Sequence, residues 1–308
     1  MYLVFLFAVT FAINFLMNLT ARFCTDALRG KGFFGQSVAI TVTALIACAF
    51  FIISSGFNIQ LNIPTLIYSL IFGILCVFSN LIGYSIYRYA SVSTTNTFTS
   101  SVSLVATSIV GFIAFSEPIT TDKLFKIILV LFIIFIIFLE GKAAEPKPVP
   151  SAKYADNKNR SNFIMFILLG SLSACISCCC SVLNKLYSAA TNVCDDSSYF
   201  FMTNVVMLLF GLISCVFASK GKPAMVKDAL SSLGTRAIFL IVLRTILSNT
   251  ASLVALLIYA TNIDLSLYSP LSAALGLIAA ASASLILREK LSPLALLATA
   301  IAIVAVVI

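Results

Sequence analysis

The chain has 308 residues, of which 61% are hydrophobic and 10% are charged, and its mean hydropathy is +1.10. A soluble domain cannot bury so much apolar surface behind so few charges, so the composition excludes that class and indicates an integral membrane protein. The formal charge of +8 does not indicate nucleic-acid binding, because the basic residues stand at the ends of apolar segments and form no patch with stacking aromatics.

The apolar segments predict ten membrane-spanning helices, if about 20 apolar residues are needed for each span. The first segment begins at Tyr2 and is too long for the apolar part of a signal peptide, so we expect no separate signal peptide. The ten predicted helices cover residues 2–23, 33–54, 65–87, 93–115, 124–139, 163–186, 199–218, 237–260, 267–287 and 294–308.

Two five-helix halves are separated by one polar segment. Residues 141–162 are rich in Lys, Pro, Asn and Ser, and Pro146, Pro148 and Pro150 favour an extended, solvated linker. The sequence therefore predicts a first repeat over residues 1–140, the linker, and a second repeat over 163–308.

The two halves share matched features at an offset of about 170 residues. The pairs are Ser79-Asn80 with Ser248-Asn249, Tyr89-Ala90 with Tyr259-Ala260, and Glu117 with Glu289. Because each half has an odd number of helices, the second copy must cross the membrane in the opposite sense. An inverted repeat of this kind predicts a central cavity near the membrane midplane.

The basic residues predict the orientation. Fifteen of the 19 Lys and Arg residues fall on one face of the ten-helix topology, and this face includes the linker. By the positive-inside rule, the linker lies in the cytoplasm and both termini lie outside.

Polar side chains inside the predicted helices are candidates for lining the cavity. Asn14 and Asn18 share one helix face, and Asn80 and Asn249 are related by the repeat. Hydrogen bonding between helices, at about 0.6–2 kcal/mol for each bond, explains the same residues without a function. Both interpretations remain open.

Arg244 is a charged residue well inside a predicted helix, about 12 Å from Arg236. A buried guanidinium is costly unless it is paired or hydrated. It could attract a carboxylate or phosphate of a substrate, because its planar fork fits either group. A snorkelling or salt-bridged arginine with a structural role is the alternative.

Two further helices begin with polar residues. Residues 91–101 include Asn96 among many hydroxyls, and residues 264–270 include Tyr268, Ser269 and Pro270. We expect Asn96, Tyr268 and Ser269 to line the cavity. Pro270 frees a backbone carbonyl that a ligand could use, although an inert kink fits equally well.

Several kinds of chemistry are not expected. The chain has no histidine and no acidic residue deep in a helix, so we predict no catalytic residues, no metal site, no cofactor and no proton coupling. Cys178, Cys179 and Cys180 are consecutive and would point about 100° apart on a helix, so they predict helix packing rather than metal binding. Nine cysteines show no disulfide framework.

Both halves end in a helix, a Glu, a short turn and another helix. The Glu residues are Glu117, followed by Ile119-Thr120, and Glu289, followed by Leu291-Ser292. With two five-helix repeats, this pattern resembles the drug/metabolite transporter superfamily, and within it the EamA-type exporters. Ser116 and Arg288 stand where that family usually has glycine. Because each half has an odd number of helices, Glu117 and Glu289 are expected on opposite faces of the membrane. They therefore mark corresponding positions of the two repeats and do not form one shared site.

The resemblance implies a carrier that moves small metabolites by alternating access through the central cavity. We therefore expect an exporter in a bacterial plasma membrane, with a small, polar, anionic or zwitterionic substrate. A lipid-carrier flippase or a non-transporting relative is the alternative. We expect no enzyme activity and no nucleic-acid partner, and the lipid bilayer is the expected surrounding. Both a monomer and a homodimer remain open.

Overall fold

A computed structural model describes most of the chain and contains eight long helices within the described part. The described residues are 2–27, 32–86, 89, 92–115, 120–121, 124–125, 127–129, 131–133, 135–136, 153–219, 223–261, 265–287, 293, 296–297, 300–301 and 304. The helices are α1 (Tyr2–Ala27), α2 (Gly32–Ser54), α3 (Ile63–Ile86), α4 (Val92–Ala114), α5 (Lys153–Ala189), α6 (Asp196–Ala218), α7 (Pro223–Tyr259) and α8 (Leu265–Ile286).

Seven of these helices are long and apolar enough to cross a membrane. Their apolar spans are Leu3–Thr20, Phe33–Ser54, Ile63–Gly83, Thr94–Ala114, Asn162–Ala189, Asp196–Ala218 and Gly234–Tyr259. An α-helix satisfies its own backbone hydrogen bonds, which a lipid environment requires. The structure thus confirms an all-α, multi-pass integral membrane protein, as far as the described residues extend.

Helix ends agree with the sequence where an apolar run sets them, and differ where polar residues continue a helix. The bounds of α2, α3, α4 and α8 lie within about two residues of prediction. In contrast, α5 begins at Lys153, inside the segment predicted as a linker, and α7 begins at Pro223. Gly234 interrupts α7 with a φ of 73°, a conformation that glycine adopts without steric cost.

The chain forms two compact units, and each takes segments from both predicted repeats. The first unit contains Met1–Leu19, Ser85–Cys178 and Ile263–Ile308, and the second contains Thr20–Tyr84 and Cys179–Asn262. The two compact units therefore do not coincide with the two predicted repeats, which are contiguous halves of the sequence.

The core of the second unit is built where small residues let helices approach closely. Ala39 and Ala44 of α2 are fully buried among apolar residues of α3, α6 and α7. A Cβ atom added at Gly211 of α6 would lie 2.6 Å from the Thr41 hydroxyl of α2. Close packing of small residues drives helix association in membranes, so this contact stabilises the α2–α6 pair.

The described core of the first unit is centred on two aromatic side chains. Phe98 of α4 and Phe166 of α5 have ring centroids 5.4 Å apart and pack with Ile133 and Ile136. A Cβ at Gly170 would lie 2.7 Å from the Phe98 ring, so glycine makes room for the aromatic. Helices α4 and α8 also pack together in this unit.

Many hydroxyls inside the helices are satisfied by their own helix. Side chains such as Thr107, Thr203 and Thr245 donate to the carbonyl four residues earlier, at 2.7–2.9 Å. This local bond gives a Ser or Thr a partner without another helix or a ligand. Hydroxyl content alone therefore does not identify a cavity in this protein.

Candidate functional site

Arg244 lies within the membrane-spanning part of α7, about 15 Å along the helix from Gly234. The side chain is half-buried, and its Nη1 atom is buried. Helical side chains lean toward the N-terminus of their helix, so the guanidinium lies over the preceding turn.

Helix α7 has two different exposed faces. One carries the large apolar side chains Phe239, Ile246 and Leu257, which are 63%, 40% and 42% exposed. Ser248 is also exposed, although it lies about 200° around the helix from Ile246. A large apolar face suits lipid, whereas an exposed serine on the opposite face suits water.

The serine belongs to a row of small residues that begins one turn after Arg244. By helical spacing, Arg244 shares its face with Ser248, Ala251, Ser252 and Ala255, which we call the small-residue strip. Ala251, Ser252 and Ala255 are half-buried. Nearer the start of α7, Ala237 and Ile241 lie on the same face and are packed against α2. This face of α7 is therefore covered by α2 only up to Arg244.

Cys24, near the end of α1, contacts the guanidinium. The Arg244 guanidinium donates a hydrogen bond to the Cys24 sulfur, and Cys24 is only 1% exposed. Burial raises the pKa of the Cys24 thiol, and the adjacent positive charge partly offsets this rise. The thiol is therefore neutral at pH 7 and leaves the charge of Arg244 in place.

Gly83 of α3 leaves open space beside the same guanidinium. A Cβ atom at Gly83 would lie 3.9 Å from Nη2 of Arg244, which is an ordinary contact distance. Asn80 lies three residues earlier, on the same side of α3, and its amide donates to the Cys76 carbonyl at 2.9 Å. We call Arg244, Cys24, Gly83 and Asn80 the Arg244 site.

Asn249 does not share a face with Arg244. It lies five residues further along α7, about 140° around the helix, and on the side of the buried Thr245. Its Nδ2 atom is buried and has no hydrogen-bond partner among the residues that the structure describes. A buried, unsatisfied amide costs about 1–3 kcal/mol, so this donor is available to a water molecule or a ligand.

The asparagines of the first unit have a different arrangement. The Nδ2 atom of Asn96 on α4 donates to Oδ1 of Asn18 on α1 at 2.6 Å. Asn14 is half-buried one turn before Asn18, on the face opposite the exposed Leu16. The structure thus brings Asn18 and Asn96 together, within the unit that does not contain Arg244.

Several predicted residues cannot be placed. Glu117 and Glu289 lie outside the described residues. Tyr268, Ser269 and Pro270 lie within α8, but their side chains are outside the described part. Their expected roles stay predictions.

The three consecutive cysteines differ in exposure, as consecutive positions on a helix are expected to do. Cys178 is buried, Cys179 is exposed and Cys180 is half-buried, so the three side chains point in different directions. Among the residues that the structure describes, no three His, Cys, Asp or Glu side chains are arranged so that they could hold a metal ion.

A second polar cluster, where α5 and α6 meet α3, was not predicted from the sequence. Tyr187 stacks on Tyr199 with ring centroids 4.0 Å apart, and its hydroxyl donates to the Cys194 carbonyl at 2.6 Å. The Cys194 amide in turn donates to the Thr65 hydroxyl at 2.8 Å. Because these groups are mutually satisfied, the cluster fixes the α5–α6 connection to α3. No spacing in the sequence indicates this pairing of distant segments.

Two residues of the Arg244 site were also missed by sequence reasoning. Nothing local marks Cys24 or Gly83, because both matter only through tertiary contact with Arg244. Ser248 could have been found by counting four residues from Arg244 along the helix.

Comparison with known proteins shows the fold and no function. No protein-family model matches the chain, and no curated protein matches it. A solved structure described only as "Crystal structure of protein" aligns with a TM-score of 0.52 and 12% sequence identity. The alignment covers 98% of this chain and 96% of the other, so the two share a fold over nearly their whole lengths.

Proposed function

We propose that this protein is a secondary transporter that exports small polar metabolites by alternating access. In this proposal, ten helices form two inverted five-helix repeats around a central cavity, as in the drug/metabolite transporters that the sequence resembles. The protein would lie in a bacterial plasma membrane with the segment 141–162 in the cytoplasm. The seven apolar helices support the membrane setting.

The observation that carries the proposal is the pair of exposed faces on α7. Phe239, Ile246 and Leu257 form the face that suits lipid. On the other side, Arg244 stands at the head of the small-residue strip, with Ser248 exposed. A route for a polar substrate through the membrane requires a helix with one face that can contact water.

The chemistry of the Arg244 site favours a substrate with a carboxylate or phosphate. A guanidinium offers a planar fork of donors to such a group and keeps its charge at every physiological pH. Gly83 leaves space beside Nη2, and Asn80 supplies an amide on the same side of α3. These neighbours suit an anionic or zwitterionic metabolite better than a cationic drug.

A thermal-shift screen of the purified protein tests this proposal. Amino acids, nucleotides, sugar phosphates and cationic drugs would each be titrated, since a ligand that binds the folded state raises its unfolding midpoint. We expect anionic or zwitterionic compounds to stabilise wild type, and to stabilise Arg244→Gln only at correspondingly higher concentrations. Stabilisation by lipids or lipid-linked carriers alone would instead favour a flippase.

The stabilising compound would then be loaded into proteoliposomes for counterflow. Uptake of labelled compound against excess unlabelled compound inside would support a carrier. Binding without counterflow by an intact, correctly inserted protein would contradict transport.

A further inference from the structure

The connection between α2 and α3 exposes large apolar side chains where two membrane spans end. It consists of residues 55–62, which we call the α2–α3 loop. Phe57 is 79% exposed and Leu61 is 75% exposed, and the flanking Ile53 and Ile63 are exposed as well. Apolar surface of this kind needs a partner, and its position at the ends of two spans puts it next to lipid.

The two helices and their loop carry no charge. From Phe33 to Tyr87 the sequence contains no Asp, Glu, Lys or Arg. A charged side chain is costly inside a bilayer, so the main obstacle to insertion of this loop is absent. By contrast, the α5–α6 connection, to which the loop is hydrogen-bonded, carries Asp195 and Asp196.

The loop backbone is largely hydrogen-bonded within the protein. The amides of residues 55–58 donate to carbonyls of the last turn of α2 or of the loop itself, at 3.0–3.2 Å. The Gln60 amide donates to the Ser198 hydroxyl of α6 at 2.9 Å, and the Asn62 side chain donates to the Asn192 carbonyl at 3.1 Å. Irregular backbone is tolerated close to lipid only where its polar groups have partners, and most amides of this loop meet that condition.

Phe57 has a backbone conformation that a large side chain disfavours. Its φ is 65°, in the left-handed region where glycine is common and bulky residues are rare. Because its ring is mostly exposed, packing inside the protein does little to offset this strain. An outlier of this kind indicates that the exposed side chain has a use outside the fold.

We propose that the α2–α3 loop is a membrane anchor, whose Phe57 and Leu61 side chains insert into the boundary between headgroups and acyl chains of the nearer leaflet. Burial of their apolar surface in lipid drives the insertion. The bonds from Gln60 and Asn62 to the α5–α6 connection hold the loop at a fixed height, so the anchor would set the depth of α2 and α3 in the bilayer. This proposal does not rest on transport.

An introduced tryptophan tests the depth of each side chain, because the chain has no tryptophan of its own. Full-length Phe57→Trp and Leu61→Trp would be placed in phosphatidylcholine vesicles whose acyl chains carry bromine, a fluorescence quencher, either near the headgroup or near the chain end. We expect both tryptophans to lose fluorescence, more with bromine near the headgroup. We also expect both to be shielded from acrylamide in the water. Leu61 lacks the unusual backbone conformation, so Leu61→Trp decides the matter even if Phe57→Trp fails to fold.

Two further variants serve as controls. Thr191→Trp, at an exposed position of the acidic α5–α6 connection, should be quenched by acrylamide and little by brominated lipid. Leu209→Trp, exposed on the apolar span of α6, should be quenched by brominated lipid and shows that the protein is inserted. All variants should retain the wild-type helical circular dichroism and gel-filtration profile.

Three results would overturn the proposal. The first is quenching by acrylamide without quenching by lipid at the folded loop variants, which would place the loop in water. The second is shielding from both quenchers, which would show that a second copy or another protein covers the loop. The third is equal lipid quenching at residue 191, which would show that the loop does not insert selectively.

Discussion

Asn96 on α4 donates a hydrogen bond from its Nδ2 atom to Oδ1 of Asn18 on α1, at 2.6 Å. The sequence presents both residues as candidates for lining a cavity, and the bond satisfies one donor and one acceptor between them. This favours a structural link between the two helices over direct contact with a substrate.

A double-mutant cycle with Asn18→Ala and Asn96→Ala tests that link. Each single change should destabilise the protein by about 0.6–2 kcal/mol, and the double mutant should lose less than the sum because the two residues share one bond. Thermal unfolding in detergent measures the loss. Fully additive effects on stability would show that the two residues act separately from each other. Unchanged stability together with abolished transport would contradict a structural role for the bond.

Arg244→Gln should weaken binding of an anionic substrate. Loss of a charge-assisted hydrogen bond costs about 1.5–3 kcal/mol, which is roughly a 10- to 150-fold weaker affinity. Titration of the stabilising ligand measures the change. Arg236→Gln, at an exposed arginine on the same helix, is the control and should leave affinity unchanged. Equal losses in both variants would indicate a general charge effect.

The sequence predicts the helices well where hydropathy alone decides their ends. Gly32–Ser54 and Ile63–Ile86 follow their apolar runs closely, whereas the start of α5 at Lys153 is invisible to hydropathy because its first residues are polar. The candidate site was partly predictable. Arg244 stands out as a charge in an apolar run, but its contact with Cys24 depends on how α1 and α7 pack.

Gly83→Ala and Gly83→Leu should have different effects. An alanine Cβ would lie 3.9 Å from Nη2 of Arg244, so Gly83→Ala should retain substrate binding and gain roughly 0.5–1 kcal/mol from better helix propensity. A leucine would place further carbon atoms in the space beside the guanidinium and should abolish binding. The thermal-shift titration measures both. Normal binding by a folded Gly83→Leu protein would place the substrate elsewhere.

Asn249→Leu should raise stability and lower transport. The change removes a buried Nδ2 donor that has no partner among the described residues, which should increase the free energy of unfolding by about 1–3 kcal/mol. If a substrate uses this donor, counterflow should fall together with that gain. A more stable variant with unchanged counterflow would show that Asn249 has no part in transport.

The central claim is that the face of α7 that carries Arg244 and the small-residue strip is in contact with water. Cysteine labelling tests it without knowledge of the substrate. Ser248→Cys and Ile246→Cys, on opposite faces of α7, would be treated in intact vesicles with a charged methanethiosulfonate, and the modified residue would be located by mass spectrometry. The account predicts rapid labelling at residue 248 and protection at residue 246. Protection at 248 together with labelling at 246, or equal protection at both, would contradict it.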